Sequence, residues 1–154
     1  QIFHQDLVLL AGTGYVIPGT AGAGALNGLG SLNGSFYTDP TTSKPTWSMF
    51  APNNAATDMT CLINDNPQTM FEMRTAITSL TQADAGATAP IVATAGSSTT
   101  KISGYTIGAV TTVVNQLKLI GITRDTSNQT LDESGSIWRV MISSHILGNN
   151  VVGI

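Results

Sequence analysis

Charge is what this sequence has least of. Only 10% of its 154 residues are Asp, Glu, Lys or Arg, against about 25% in a typical soluble domain. The basic residues are spread singly along the chain, at Lys44, Arg74, Lys101, Lys118, Arg124 and Arg139. Because binding to a phosphate backbone needs clustered positive charge, this distribution argues against a nucleic-acid partner. So few charges also suggest that partners cover large areas of the surface.

Cysteine and long apolar runs are also scarce. The single cysteine, Cys61, cannot form an internal disulfide, and it lies in an alternating apolar run where a buried thiol is expected. No stretch approaches the roughly 20 apolar residues of a membrane span, so no membrane partner is expected.

Groups that carry out chemistry do not gather in the sequence. His4 and His145 lie near opposite ends of the chain, and neither has a cysteine or carboxylate at metal-ligand spacing. For His145, at the end of an apolar strand, a structural role or a place in an interface is favoured over that of a catalytic base. The sequence therefore predicts no catalytic residue, no metal and no cofactor, and a protein that is not an enzyme.

What the sequence has in plenty is Thr, Ser, Asn and Gly around short apolar runs, which is typical of strands and turns. The length suits one domain. Residues 7–10 and 15–17 predict one hairpin, and residues 59–63 and 69–73 predict a second. Residues 80–86 predict a short helical turn, with Thr81 or a neighbour as its cap and Gly86 as its end. Further strands are predicted at 91–93, 102–107, 117–122 and 137–142.

These runs predict an all-β fold, a single β-barrel or sandwich-like domain with long loops and at most one short helix. Gln1 stands where an initiator Met would, and the residues after it already look like the middle of a strand. We therefore expect an N-terminal segment upstream of residue 1.

Several sequence blocks, in this order, carry a resemblance. They are Asp-Leu-Val-Leu-Leu at 6–10, Gly-Tyr-Val-Ile-Pro at 14–18, Gly-Ser-Phe-Tyr-Thr-Asp at 34–39, Ile-Asn-Asp-Asn-Pro-Gln-Thr-Met-Phe-Glu at 63–72, Leu-Lys-Leu-Ile-Gly-Ile at 117–122, and Ile-Trp-Arg-Val-Met-Ile-Ser-Ser-His at 137–145. In content and order they resemble the capsid cement, or decoration, proteins of tailed bacteriophages, particularly podophages and cyanophages. Asn64 and Asn66 depart from the family pattern, in which acidic residues are common.

The resemblance implies that residues 1–154 form a single capsid-decoration-like β domain in the virion, on the outer surface of the phage head. Such a protein bridges neighbouring subunits of the major capsid protein and stabilises the capsid. It acts as a homo-oligomer, and we expect a trimer rather than a dimer.

Two loops are expected to make the contacts, because long loops in a compact domain tend to be functional. They are the Gly-rich loop 20–34 and the loop 38–54, and the candidate capsid or subunit contacts in and beside them are Leu26, Leu29, Leu32, Tyr37, Trp47 and Phe50.

Two alternatives remain open. One is a tail-tube or neck structural protein of the same virion, which would share the β-rich, poorly charged composition. The other is a carbohydrate-binding or adhesive β-sandwich. It would need a cluster of exposed aromatic side chains, and the sequence shows none because its aromatic residues are scattered.

Overall fold

Antiparallel strands make up nearly all the regular structure in the part of the chain that the structure describes. The structure is a computed structural model, and it describes residues 1–21, 28–77, 80–124 and 135–148. The strands are β1 (Leu7–Leu10), β2 (Val16–Pro18), β3 (Gly28–Thr38), β4 (Pro45–Ser48), β5 (Thr60–Asn64), β6 (Phe71–Arg74), β7 (Thr88–Ala89), β8 (Ile91–Val92), β9 (Thr106–Ile107), β10 (Leu117–Ile122) and β11 (Ile137–Ile142). In these ranges no helix is long and apolar enough to cross a membrane.

The first five strands form one sheet, which we call sheet 1, around the long central strand β3. Ser31 pairs with both β1 and β5, and Ser35 pairs with both β4 and β5. Since a strand has only two edges, β1 and β4 pair one after the other with one edge of β3, and β5 pairs with the opposite edge. The position of β3 between these strands explains why most of its side chains are buried.

Sheet 2 is built from the later strands in the order β6, β11, β10, β7. Alternate side chains of β11, Trp138, Val140 and Ile142, are buried, because one face of the strand meets the core and the other meets solvent. Strands β8 and β9 form a separate two-stranded sheet beside this core.

The two faces of β1 contribute to two different hydrophobic cores. Leu7 packs with the buried side chains of sheet 2, including Leu117 and Trp138. Its neighbour Val8 points to the opposite face of sheet 1 and packs with Leu32 in a second, smaller core. Sheet 1 is therefore covered on both sides along β1.

The N-terminal segment joins distant parts of the chain through its backbone. Ile2 and Ala51 exchange hydrogen bonds of 2.9 and 2.8 Å. The His4 N–H donates to the Lys101 carbonyl at 2.9 Å, and the Gln5 N–H donates to the Leu32 carbonyl at 2.7 Å. These bonds hold residues 2–5 against sheet 1 on one side and the segment around residue 101 on the other.

Most of the fold expected from the sequence is confirmed. The domain is all-β and sandwich-like, although the described strands do not close into a barrel. Strands β1 and β2 form the first predicted hairpin. The predicted helical turn is a 3₁₀ helix at Gln82–Asp84, where the Thr81 N–H donates to the Asp84 carboxylate at 2.6 Å.

Two expectations about the connections are wrong. Strands β5 and β6 do not form the second hairpin, because β5 pairs with β3 in sheet 1 and β6 pairs with β11 in sheet 2. The supposed loop 20–34 runs into β3 from residue 28, and the supposed loop 38–54 contains β4, which pairs back onto β3. Residues 28–34 of the first segment and residues 45–48 of the second therefore belong to sheet 1.

Candidate interaction surface

Large apolar side chains are exposed together on one face of sheet 1. Trp47 of β4 lies opposite Phe36 of β3, and Leu62 of β5 lies opposite Gly34, two residues before Phe36. The register therefore places all of them on the same face. Phe36, Trp47 and Leu62 keep 51%, 53% and 51% of their surface exposed. We call the surface formed by Phe36, Trp47 and Leu62 the Trp47 face.

Gly34 allows the indole ring of Trp47 to lie against the sheet. A Cβ atom at Gly34 would stand 2.5 Å from two carbons of that ring, so any larger residue would displace it. The ring thus covers the backbone of β3 at the point opposite Leu62. The surface is continuous across all three strands, because the small residue leaves the space that Trp47 fills.

Sheet 2 leaves this part of sheet 1 uncovered. Asn64 lies on the same face of β5 as Leu62, and together with Leu7 it lines a cleft of about 500 Å³. The far wall of the cleft includes Val140 and Ile142 of sheet 2. The face that meets sheet 2 near β1 is therefore exposed along β4 and β5.

Charge is absent from the strands that carry the Trp47 face, since β3, β4 and β5 contain no Asp, Glu, Lys or Arg. A carboxylate is fixed at the border, where Asp58 accepts hydrogen bonds from the Thr38 Oγ1 at 2.6 Å and from the Thr38 N–H at 3.0 Å. These hydrogen bonds hold the pKa of Asp58 below its ordinary value. The border is thus charged while the centre is apolar.

The structure separates the contact residues that the sequence suggested. Trp47 is exposed at the centre of the surface, but Leu32 is fully buried and Tyr37 is 7% exposed, so these two side chains pack inside the domain and offer almost no surface to a partner. Leu29 is partly buried against the core around Leu32. Leu26 lies outside the described residues.

Phe50, the remaining candidate, is half-buried at the edge of sheet 1. The ammonium group of Lys101 lies 4.9 Å from the centre of its ring, within the range of a cation–π interaction. The Phe50 carbonyl also accepts a hydrogen bond of 2.8 Å from the Ser35 hydroxyl. Its contacts therefore join β3 to the segment around Lys101, and a role in partner binding stays a prediction.

Sequence reasoning missed Phe36 and Leu62. Alternation in residues 34–38 and 60–64 does put each on one side of a strand, but alternation alone does not say which side faces solvent. The pairing of β5 with β3 brings these residues beside Trp47. The turn residues at 64–67, which favour a hairpin of β5 with β6, give no sign of this pairing.

The two histidines and the cysteine do not form a catalytic or metal-binding cluster with carboxylates in the described residues. Within the described ranges, no three His, Cys, Asp or Glu side chains gather in a way that could hold a metal ion. His145 is buried, its Nδ1 accepts a hydrogen bond from the Leu147 N–H at 3.1 Å, and burial lowers its pKa. Burial likewise raises the pKa of the Cys61 thiol. The neutral forms of both groups are favoured, as in structural side chains.

Asp6 is buried beside the N-terminal segment, and its charge acts on the half-buried Tyr105. Burial raises the pKa of Asp6, although the side chain of Ser103 and the Phe3 N–H, at 2.8 Å, both donate hydrogen bonds to the carboxylate. The Tyr105 hydroxyl donates to the Gly19 carbonyl at 2.7 Å, and burial together with the nearby Asp6 raises its pKa to about 12.

Replacement of this carboxylate is expected to change how stability depends on pH. The pKa of Asp6 is higher in the folded chain than its value of 3.8 in an unfolded one, so its protonation favours folding at low pH, and this contribution is lost as pH rises through the folded-state pKa. The free energy of unfolding of Asp6→Asn, relative to that of the unmodified chain, should therefore increase from about pH 4 to about pH 7. Urea unfolding of both proteins at each pH measures this difference. An equal difference at the two pH values would contradict the prediction.

No family model, curated protein or solved structure shows a significant match to this chain.

Proposed function

We propose that this chain is a structural virion protein, a capsid cement protein that binds the outer surface of a phage head and bridges neighbouring major capsid protein subunits. The observation that carries the proposal is the Trp47 face, an exposed apolar surface on strands without charge. Apolar surfaces that are grouped and bordered by polar residues are typical of protein interfaces. The order of the sequence blocks that resemble the cement proteins supports the choice of partner.

Such a protein acts by binding one state of the shell. A ligand that binds only the assembled lattice stabilises it by mass action, and no catalytic group is needed. Trp47 has the features of an interface hot spot, because it is large, aromatic and central in its surface. Many identical sites on one shell, occupied by linked copies of the chain, would add avidity.

The first test is the position of the chain in intact particles, imaged by cryo-electron microscopy. The proposal expects density on the outside of the head, at a local symmetry axis where capsomers meet, with the Trp47 face against the major capsid protein. Density in the tail or neck would instead favour a tail-tube or neck protein, and absence from the particles would overturn any virion role.

Binding to heads that lack the protein tests the surface itself. The combined change Phe36→Ser, Trp47→Ser and Leu62→Ser is expected to weaken binding at least about 30-fold, since loss of a single hot-spot residue can cost 2 kcal/mol or more. Co-sedimentation of labelled protein with the heads measures the affinity. An unchanged affinity would exclude the Trp47 face as the contact.

A matched control separates this effect from a general loss of apolar surface. Tyr15, Val113 and Leu147 are exposed by 74%, 51% and 61% and lie outside the Trp47 face. The triple change of these residues to Ser should leave the affinity for heads within about twofold, because surface changes away from a contact have small effects.

The adjacent Phe36 and Trp47 rings favour a second candidate, a carbohydrate-binding or adhesive β-sandwich. The sequence showed no aromatic cluster, but the pairing of β3 with β4 produces this exposed pair. Apolar faces of sugar rings pack on such aromatic surfaces, as other ligands do. Titration of the chain with a panel of glycans, followed by tryptophan fluorescence, distinguishes the candidates. Saturable quenching that Trp47→Ser abolishes would favour the carbohydrate-binding role.

A further inference from the structure

The edges of the sheets differ in how well they are protected against pairing with another strand. Exposed edges are commonly blocked by proline, by charge or by very short strands. Strand β2 contains Pro18, β4 contains Pro45, and β6 carries Glu72 and Arg74. The remaining edges among the described strands belong to β7, β8 and β9, which are two residues long.

Strand β5 is the exception. Its five residues, Thr-Cys-Leu-Ile-Asn, include no proline and no charge, and it pairs with β3 alone among the described strands. Leu62, in the middle of this strand, is 51% exposed and belongs to the Trp47 face, so the apolar surface reaches the free edge. An unprotected edge beside an exposed apolar surface is a typical site for the addition of a strand.

We infer that β5 pairs antiparallel with β5 of a second copy of this chain, about a two-fold axis at Leu62, so that the two sheets 1 become one continuous sheet. The dimer does not depend on capsid binding. It differs from the trimer that the resemblance implies, because a single edge that pairs with itself closes after two copies.

The side chains of β5 match their own copies in this register. Leu62 lies opposite Leu62 of the second copy, Cys61 lies opposite Ile63, and Thr60 lies opposite Asn64. Apolar residues thus meet apolar residues on each face, and polar residues meet polar residues at the two ends of the strand. This self-complementarity favours a second copy over an unrelated strand as the partner.

Charge at the two ends of β5 favours the same register. With the axis at Leu62, Asp58 lies opposite Asn66 and Asp65 lies opposite Met59. A shift of one residue that put Asp58 opposite Asp65 would bring like charges together, which is destabilising. It would also turn the exposed face of one sheet to the buried side of the other. The register centred on Leu62 avoids both and pairs all the residues of β5.

The dimer would join two Trp47 faces into one surface. A two-fold axis perpendicular to the sheet keeps Phe36, Trp47 and Leu62 of both copies on the same side. Paired edges of five residues cover less than the area of 1,200–2,000 Å² that stable complexes bury. We therefore expect a dimer that dissociates in the micromolar range and that forms more readily where copies are concentrated.

Cysteine cross-linking tests the register. In a Cys61→Ala background, Leu62→Cys places two thiols opposite each other across the axis, where Cβ atoms are about 4.5–5.5 Å apart. We expect disulfide-linked dimers with mild oxidant, or with a short bis-maleimide. Thr60→Cys is the matched control on the same strand and face. Its thiols lie about 13 Å apart along the strand direction, so the paired copies should not become cross-linked.

Sedimentation of the chain without introduced cysteines tests the dimer independently. We expect a monomer–dimer equilibrium, and we expect Leu62→Lys to raise the dissociation constant of the dimer at least tenfold. An unchanged circular dichroism spectrum would show that the variant folds. A trimer, a monomer at all concentrations, or equal cross-linking of both cysteine variants would overturn the inference. Because neither experiment contains capsids, failure here would be distinct from failure to bind heads.

Discussion

Trp138→Ala is expected to lower the free energy of unfolding by about 3–5 kcal/mol, the cost of removing a large aromatic side chain from a packed core. Trp138 has no exposed surface and belongs to the core that includes Leu119 and Val140, on a strand between β10 and β6. Its indole N–H has no hydrogen-bond partner among the described residues, so the loss comes from packing rather than from a broken hydrogen bond.

Trp47→Ala is the matched control, because it removes the same side chain from an exposed position. We expect it to cost less than about 1 kcal/mol in stability, as surface changes usually do. Urea unfolding followed by circular dichroism at 222 nm measures both variants without relying on tryptophan fluorescence. Equal losses in the two variants would mean that Trp47 belongs to the core and that the Trp47 face is not a free surface.

Gly30→Ala is expected to destabilise the chain by about 2–4 kcal/mol, since overpacking of a close contact commonly costs 1–3 kcal/mol and backbone strain adds to it. A Cβ atom at Gly30 would collide with the carbonyl of Asn64 on the neighbouring strand and would stand 2.9 Å from a side-chain carbon of Ile63. The φ angle of Gly30, 151°, also lies outside the range that other residues favour. Strands β3 and β5 would have to separate.

Gly12→Ala is the control for this change. Gly12 lies in the turn between β1 and β2, and a Cβ atom there meets nothing within 4 Å. The free energy of unfolding of this variant should stay within about 0.5 kcal/mol of that of the unmodified chain. If Gly30→Ala were equally neutral, the pairing of β3 with β5, on which the Trp47 face depends, would be wrong.

Local patterns explain which elements were predictable. The alternation in residues 117–122 and 137–142 defined β10 and β11, and the short Gly-containing turn at 11–14 defined the hairpin of β1 and β2. In each case the information lies within one strand or within one turn. The short helix likewise has local signals, a capping residue at or beside Thr81 and a glycine at 86, and the structure places the cap at Thr81.

The pairing of β5 and β6 was not predictable in the same way. The turn residues at 64–67 do reverse the chain, but β6 continues into sheet 2 instead of returning beside β5. The decisive partners are far away in the sequence, at residues 31–36 for β5 and 137–140 for β6. A turn signal shows that the direction changes and does not identify the strand that is met afterwards.

Burial of the candidate contact residues depends on the same distant partners. Leu32 and Trp47 both occur in apolar, strand-forming segments, yet one is fully buried and the other is half exposed. The difference arises because Leu32 faces the small core around Val8, whereas Trp47 lies where sheet 2 does not reach. The sequence therefore predicted a strand at each place but not its environment.

The order of strands along the chain also determines when each sheet can form during synthesis. All strands of sheet 1 come from residues 7–64, and those of sheet 2 come from residues 71–142. Because a ribosome releases the N-terminal part first, all strands of sheet 1, including those of the Trp47 face, are released before the first strand of sheet 2. A newly made chain thus exposes the Trp47 face before the larger core around Trp138 can form.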